Sequence, residues 1–270
     1  MDYNGKVAWI TGASSGIGAS LARGFASRGG HVVLSGRDEQ RLAQVAADCG
    51  ETLVLPFDVR DDAALAEATA EAIAWKGHVD LGVANAGISQ RSRALKTDMQ
   101  VYRDIIDIDL TAQIAYSHSL IGHKAGRGSG ALAYISSIDG KVGVPMRTAY
   151  CAAKFGLAGY ADALRGELSI NGVNVHVIYP GSVATNVSRN ALNADGTARG
   201  VSDKAIDEGI NSDEAATTML DGMANGEREI IVAEGMELAM GDMRRTPDAL
   251  FDQVAALVAS GYMDKMEAQS

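Results

Sequence analysis

Short β-branched and aliphatic runs alternate along the chain with longer stretches whose apolar positions recur every three or four residues. The first run, Lys6–Thr11 (KVAWIT), reads as a strand and Gly16–Arg28 as the helix after it. Further strands are predicted over His31–Ser35, Thr52–Pro56, Val79–Asn85, Gly130–Ser136, Val173–Tyr179 and Glu229–Ala233. Helices are predicted over Asp38–Cys49, Asp61–Trp75, Asp98–His123, Thr148–Ile170, Ser212–Asn225 and Pro247–Ala259. Asp38 stands where an N-cap is needed, and Asp61-Asp62 and Asp213-Glu214 put negative charge at helix starts. Several strands are apolar throughout, as a sheet covered on both faces requires. Strands joined through helices make βαβ units, so the expected class is α/β with a mostly parallel, doubly wound sheet. One stretch breaks the rhythm: Gly181–Asn211 has no clear strand or long helix, and a loop of that length in a compact domain is usually functional.

The 270 residues give a length prior just short of two domains, yet no linker divides the chain. With 47% hydrophobic residues a sizeable core forms and general disorder is excluded. Glycine is in excess, 31 with only 4 prolines, which points to tight turns and close backbone approaches rather than linkers. A net charge of −10 argues against nucleic acid as a partner. No apolar run approaches the length of a membrane span and no signal peptide is visible, so neither a membrane partner nor export is expected. Cys49 and Cys151 lie far apart and the five histidines form no ligand-spaced pair, which suggests a reducing, cytoplasmic setting and no metal.

Three features carry chemistry. The turn Gly12-Ala13-Ser14-Ser15-Gly16-Ile17-Gly18 lies between the first strand and the first helix, where glycines admit a pyrophosphate and free N–H groups attract it. At the end of the second strand, where an acid would hold a ribose 2′-hydroxyl, stand Gly36 and Arg37. A guanidinium there suits a 2′-phosphate, so NADP(H) is favoured over NAD(H). Third, Tyr150-Cys151-Ala152-Ala153-Lys154 places Tyr150 and Lys154 one helical turn apart. The ammonium favours the phenolate, making Tyr150 a candidate proton donor with a lowered pKa, and Ser136-Ser137 lies at a strand end that faces the same crevice. Met236, Met240 and Met243 are expected to pack in the core. Gln90, Arg91, Asp139 and Arg147 stand evenly between substrate contact and ordinary loop contacts.

In these motifs the sequence resembles the compact branch of the short-chain dehydrogenase/reductase family. Besides the glycine turn and Tyr150-x-x-x-Lys154, the resemblance rests on Asp58-Val59, on Asn85-Ala86-Gly87, on Ser137 and on Pro180-Gly181-x-Val183-x-Thr185. A looser resemblance points to the member-seven type subgroup of dehydrogenase/reductases. The family implies a single Rossmann domain over residues 1–270, strand order 3-2-1-4-5-6-7, a substrate lid at about 182–211 and a C-terminal extension from about 234. It implies Tyr150 as general acid and base, Lys154 on the nicotinamide ribose, and Ser137 on the substrate oxygen. The implied cofactor contacts are Gly12, Ser14, Ser15, Gly16, Ile17, Gly18, Arg37, Asp58 and Val59 at one end. At the other they are Asn85, Ala86, Gly87, Pro180, Gly181, Val183 and Thr185.

One position departs from the family. Asp109 stands where an asparagine is usual, a residue whose main-chain carbonyl leads through water to the lysine. The expected activity is interconversion of a small carbonyl and a secondary alcohol by direct hydride transfer, in a homodimer or homotetramer built through the fourth and fifth helices. Two alternatives stand beside it: an NAD-linked alcohol dehydrogenase, and a catalytically weak NADP(H)-binding regulator.

Overall fold

The computed structural model describes residues 2–267. Its elements follow the βαβ rhythm: β1 Val7–Thr11, α1 Gly16–Ser27, β2 His31–Gly36, α2 Glu39–Ala47, β3 Thr52–Pro56, α3 Asp62–Lys76 and β4 Leu81–Ala84. The chain continues through α4 Met99–Ile106, a π-helical turn Asp107–Thr111, α5 Ala112–Arg127, β5 Gly130–Ile135, α6 Thr148–Leu168 and β6 Val173–Pro180. It ends with α7 Lys204–Asp207, α8 Ser212–Ala224, β7 Glu229–Val232, α9 Gly235–Met243, α10 Asp248–Ala259 and α11 Tyr262–Glu267.

The seven strands form one parallel sheet in the order β3-β2-β1-β4-β5-β6-β7. That is the order of a Rossmann fold, with the crossover between β1 and β4 opening a crevice beyond their carboxyl ends. Pairing such as Thr11 with Ser35 and Ile10 with Val83 brings the ends of β1, β2 and β4 level. One face buries Ile10, Leu34 and Val83 under Leu21 and Phe25 of α1, Leu42 of α2 and Met219 of α8. The other buries Trp9, Leu132 and Val177 under Leu65 of α3, Leu120 of α5 and Leu157 of α6. Each fully buried side chain of this kind contributes roughly 1.5–3 kcal/mol, so both helical layers are held chiefly by apolar burial. Asp38 and Asp61 cap as expected: Asp38 accepts from Arg41 N, and Asp61 from Ala63 N and Ala64 N.

The structure departs from the sequence pattern in three places. The long helix expected over Asp98–His123 is interrupted by the π-helical turn, which widens the spiral at Asp109. Helices α9 and α11 were not evident, and Met236 and Met243 on α9 are 74% and 77% exposed, so only Met240 packs as expected. The segment 181–211 is ordered by bridges (Val183 with Ile210, Gln90 with Leu192, Leu192 with Ala198) and by the single-turn helix α7.

Two buried lysines hold the frame together. Lys124 donates to Val79 O and Asp80 O, both at 2.9 Å, under the start of β4. Lys141 pairs with Glu229 at 3.0 Å and donates to Arg244 O, fastening the end of α9 to β7 and the turn after β5. Among the described residues no helix is long and apolar enough to cross a membrane.

Candidate active site

Because the strands are parallel, the loops after β1, β4, β5 and β6 gather at one edge of the sheet, around a cleft of about 1160 Å3. Every site residue picked from the sequence lines it. Gly12, Ser14, Ser15, Gly16, Ile17 and Gly18 form one wall, with Arg37, Asp58 and Val59 at one end. Asn85, Ala86, Gly87 and Asp109 lie along the floor, with Ser137, Tyr150, Lys154, Pro180, Gly181, Val183 and Thr185 at the other end.

The glycine turn is shaped by its neighbours. Gly12 has φ +65°, and a Cβ there would lie 2.8 Å from Ala86 Cα, so no larger residue fits. Ser15 occupies the N-cap of α1 but makes no side-chain cap, which leaves the first-turn N–H groups facing the cleft uncapped. That arrangement, with the positive end of the helix dipole, fits a pyrophosphate. Asn85 fixes the far side of the turn: its Nδ2 donates to Thr11 O at 2.8 Å, and its main-chain N–H to Thr11 Oγ1 at 3.0 Å.

At the end of the cleft beside β2 and β3, Arg60 grips Asp58 through two bonds, Nε to Oδ1 at 3.0 Å and Nη2 to Oδ2 at 2.7 Å. This pairing holds the Asp58 carboxyl down at about 2. Arg41 likewise faces Asp38 at 3.3 Å. Arg37, by contrast, is exposed and has no hydrogen-bond or ion-pair partner among the described residues. A Cβ on Gly36 would sit 3.5 Å from Ser14 Oγ, ordinary contact distance, so glycine leaves room here that a side chain would take.

At the opposite end, α6 carries Tyr150 and Lys154 on one face. Gln90 Oε1 accepts from Ala149 N at 2.9 Å and thereby caps the helix just before the tyrosine. Ser136 Oγ donates to Lys154 O, so it is a tie between β5 and α6. Ser137 accepts from Asp139 N at 3.1 Å and lies 3.4 Å from Pro180 O. Lys154 Nζ donates to Ile135 O at 3.0 Å and stands 5.5 Å from the centroid of the Tyr150 ring.

One expectation is corrected here. Burial pushes the Tyr150 phenol up, Lys154 pulls it down, and Asp109 and Asp139 push it up again, with a net upward direction. The lysine acts on the tyrosine as expected but does not prevail over desolvation. At Asp109 the structure adds a contact that the sequence did not announce: its side chain reaches the lysine, with Oδ2 3.1 Å from Lys154 Nζ. The contact is an ion pair without hydrogen-bond alignment.

The evenly weighed arginines serve the loop. Arg91 Nε meets Asp203 at 2.7 Å and Arg199 meets its other oxygen at 2.5 Å, while Arg147 bonds Asp139 at 2.7 Å. These partners hold the Asp203 carboxyl well below the usual range and fasten segment 181–211 over the cleft's edge. Gln90 is buried in structural bonds to Ser92 and Ala149.

A family model described as short chain dehydrogenase matches residues 6–196. The chain belongs to the short-chain dehydrogenase/reductase family, a family of oxidoreductases. A relative described as dehydrogenase/reductase SDR family member 7B, from Danio rerio, is 34% identical over 238 residues, covering 84% of this chain and 77% of its own. A short-chain dehydrogenase/reductase from Burkholderia phymatum, solved in complex with NAD, matches at TM-score 0.80 and 20% identity, over 92% of this chain and 98% of that one. An alcohol dehydrogenase from Thermococcus sibiricus, complexed with 5-hydroxy-NADP, matches at TM-score 0.72 and 22% identity, over 84% and 96%.

Within this short-chain dehydrogenase/reductase some supporting residues escaped the sequence reading. Glu237 of α9 accepts from Ser182 N at 2.7 Å and Ser182 Oγ at 3.0 Å, setting the loop after β6. Gln113 Nε2 donates to Ala86 O at 2.6 Å and to Ile108 O at 2.8 Å, bracing the floor. Neither belongs to a motif; a glutamate in the first turn of an unassigned helix was the only hint of the former.

Proposed function

We propose that this short-chain dehydrogenase/reductase interconverts a carbonyl and a secondary alcohol with NADP(H). The observation that carries the reading is the convergence of Ser137, Tyr150 and Lys154 at one end of a cleft whose wall is the uncapped N-terminus of α1. When bound, the dinucleotide supplies or accepts a hydride at its nicotinamide. Tyr150 gives its proton to the substrate oxygen in reduction and takes one in oxidation, and Ser137 donates a hydrogen bond to that oxygen as charge builds there. Lys154 holds the ribose hydroxyls and steadies the phenolate. The preference for NADP(H) rests on Arg37, which has no hydrogen-bond or ion-pair partner among the described residues, beside the space left by Gly36. The solved structures it resembles include complexes with each kind of dinucleotide, so the reading rests on this chain's own residues.

Residues 182–211 serve as the substrate lid, ordered by Asp203. The enzyme works in the cytoplasm, and it does so as a homodimer or homotetramer, an assembly supported by the small exposed residues Ala152, Gly156, Gly159 and Ala163 along α6. The test is NADPH oxidation against a panel of ketones, aldehydes and quinones, with Tyr150→Phe as control and parallel titrations of both dinucleotides. Turnover that falls at least about 100-fold in Tyr150→Phe is expected. Arg37→Ala is expected to weaken NADP(H) binding about tenfold or more while leaving NAD(H) nearly unaffected. Tighter binding of NAD(H) by the native protein would overturn the cofactor assignment. Tight NADPH binding without turnover across the panel would make the protein a regulator instead.

A further inference from the structure

Asp109 is a fully buried carboxylate at the centre of the catalytic cluster, at the position where the family resemblance calls for an asparagine. Both of its oxygens are engaged. Oδ1 accepts from Ile88 N at 2.8 Å, which ties it to the loop after β4. Oδ2 lies 3.1 Å from Lys154 Nζ. Gly87 makes the approach possible, because a Cβ there would lie 2.9 Å from Asp109 Oδ2 and 3.4 Å from Lys154 Nζ. The π-helical turn supplies the backbone that aims Asp109 inward, and Gln113 fixes that turn through Ile108 O. An asparagine would keep an acceptor for Ile88 N but bring no charge to the lysine.

We propose that Asp109 is a positioning residue whose carboxylate holds the Lys154 ammonium in place and offsets its charge as felt at Tyr150. The site is thereby set to give a proton to a carbonyl more readily than to take one from an alcohol. The inference rests on the reading of Tyr150 as the acid–base group. In the favoured direction the carbonyl carbon accepts a hydride from the reduced nicotinamide and the C=O π pair moves to oxygen. That oxygen takes the Tyr150 Oη proton, and the phenolate left behind is reprotonated from solvent.

The groups acting on Tyr150 come from three elements. Lys154 lies on its own helix, with Arg147 at that helix's start also facing the tyrosine, Asp109 lies on the π-helical turn, and Asp139 on the turn after β5, bonded to Arg147. Asp104 and Asp107, on and next to α4, act on Arg60. Burial, first of all, and the two carboxylates favour the phenol, whereas Lys154 and the Ser137 hydroxyl favour the phenolate. A phenol is the form that donates, so reduction is sustained over a wide pH range, and oxidation waits for the phenolate at high pH. Removing the Asp109 charge leaves the ammonium unopposed and brings the phenolate in at lower pH.

The test is phenolate absorbance of the cofactor-free protein as pH is raised, with Tyr150 isolated by subtracting Tyr150→Phe. Repeated in Asp109→Asn, with its own Tyr150→Phe control, the midpoint is expected to fall by about one pH unit or more. The pH profile of alcohol oxidation should move the same way, with kcat affected more than the KM for cofactor. If Asp109→Asn does not fold, Gly87→Ala displaces the carboxylate without removing it, and a downward shift is again expected. An unchanged midpoint in a folded variant overturns the proposal, as does a Tyr150 that titrates in neither protein before unfolding. A shifted midpoint with no turnover of any carbonyl would leave this inference standing and remove the activity proposed above.

Discussion

Lys141 meets Glu229 at 3.0 Å and Lys154 meets Asp109 at 3.1 Å, and all four side chains are buried. Their surroundings differ. Glu229 also accepts from Thr246 N at 2.9 Å, from Thr246 Oγ1 at 3.1 Å and from Tyr179 Oη at 3.4 Å. Lys141 donates in addition to Arg244 O and packs 4.2 Å from the centroid of the Tyr179 ring. That pair is closed, with every partner supplied by the chain. The Asp109–Lys154 pair borders the cleft, and Asp109 Oδ2 has no aligned hydrogen-bond partner among the described residues. The same two kinds of side chain thus make a closed staple where all positions are filled, and an open pair where one side faces the cleft.

The comparison can be broken most severely at the open pair. Lys154→Met is expected to cut turnover by about 100-fold or more, read in steady-state kinetics with NADPH. The closed pair should fail differently. Lys141→Met leaves Glu229 buried without its counter-charge and is expected to cost about 3–5 kcal/mol in denaturant unfolding, with kcat of the folded enzyme changed less than about twofold. Replacing both partners, Lys141→Met with Glu229→Leu, should restore most of that loss.

A third buried lysine sharpens the point, because Lys124 is held by carbonyls rather than by a contacting carboxylate. Burial pushes its ammonium down to about 7 from 10.5. The unfolded chain therefore binds the proton more tightly than the folded one. Stability from this group is complete above 10.5 and is lost as pH falls towards 7. Unfolding free energy should rise with pH across that window by about 1 kcal/mol per unit, a slope absent from Lys124→Met. The smallest effect belongs to the half-open pair Asp58–Arg60. Its depressed carboxyl stabilises the fold at neutral pH, and the contribution fades as pH falls from 3.8 towards 2. With the carboxylate about a third exposed, Asp58→Asn should remove less than about 1 kcal/mol of that acid dependence.

Much of this was legible in the sequence because it is local. The strand runs, the caps Asp38 and Asp61, the glycine turn and the Tyr150–Lys154 spacing each lie within a few residues, and the parallel order follows from the βαβ rhythm together with the family resemblance. What was missed joins distant parts of the chain. Arg91 and Asp203 are 112 residues apart, Lys141 and Glu229 88, and Ser182 and Glu237 55. No periodicity announces such pairs. Asp109 was noticed as an exception, but its meaning needed the π-helical turn that points its side chain at the lysine.

The hold of Glu237 on Ser182 reaches further than one hydrogen-bonded loop. Pro180 ends β6 and the loop after it lines the cleft, yet that loop's posture is set from α9, late in the chain. A chimera exchanging everything after β7 with a relative would therefore inherit a foreign grip on Pro180–Val183. The shape of the cleft would then travel with a segment far along the chain from the motifs that line it.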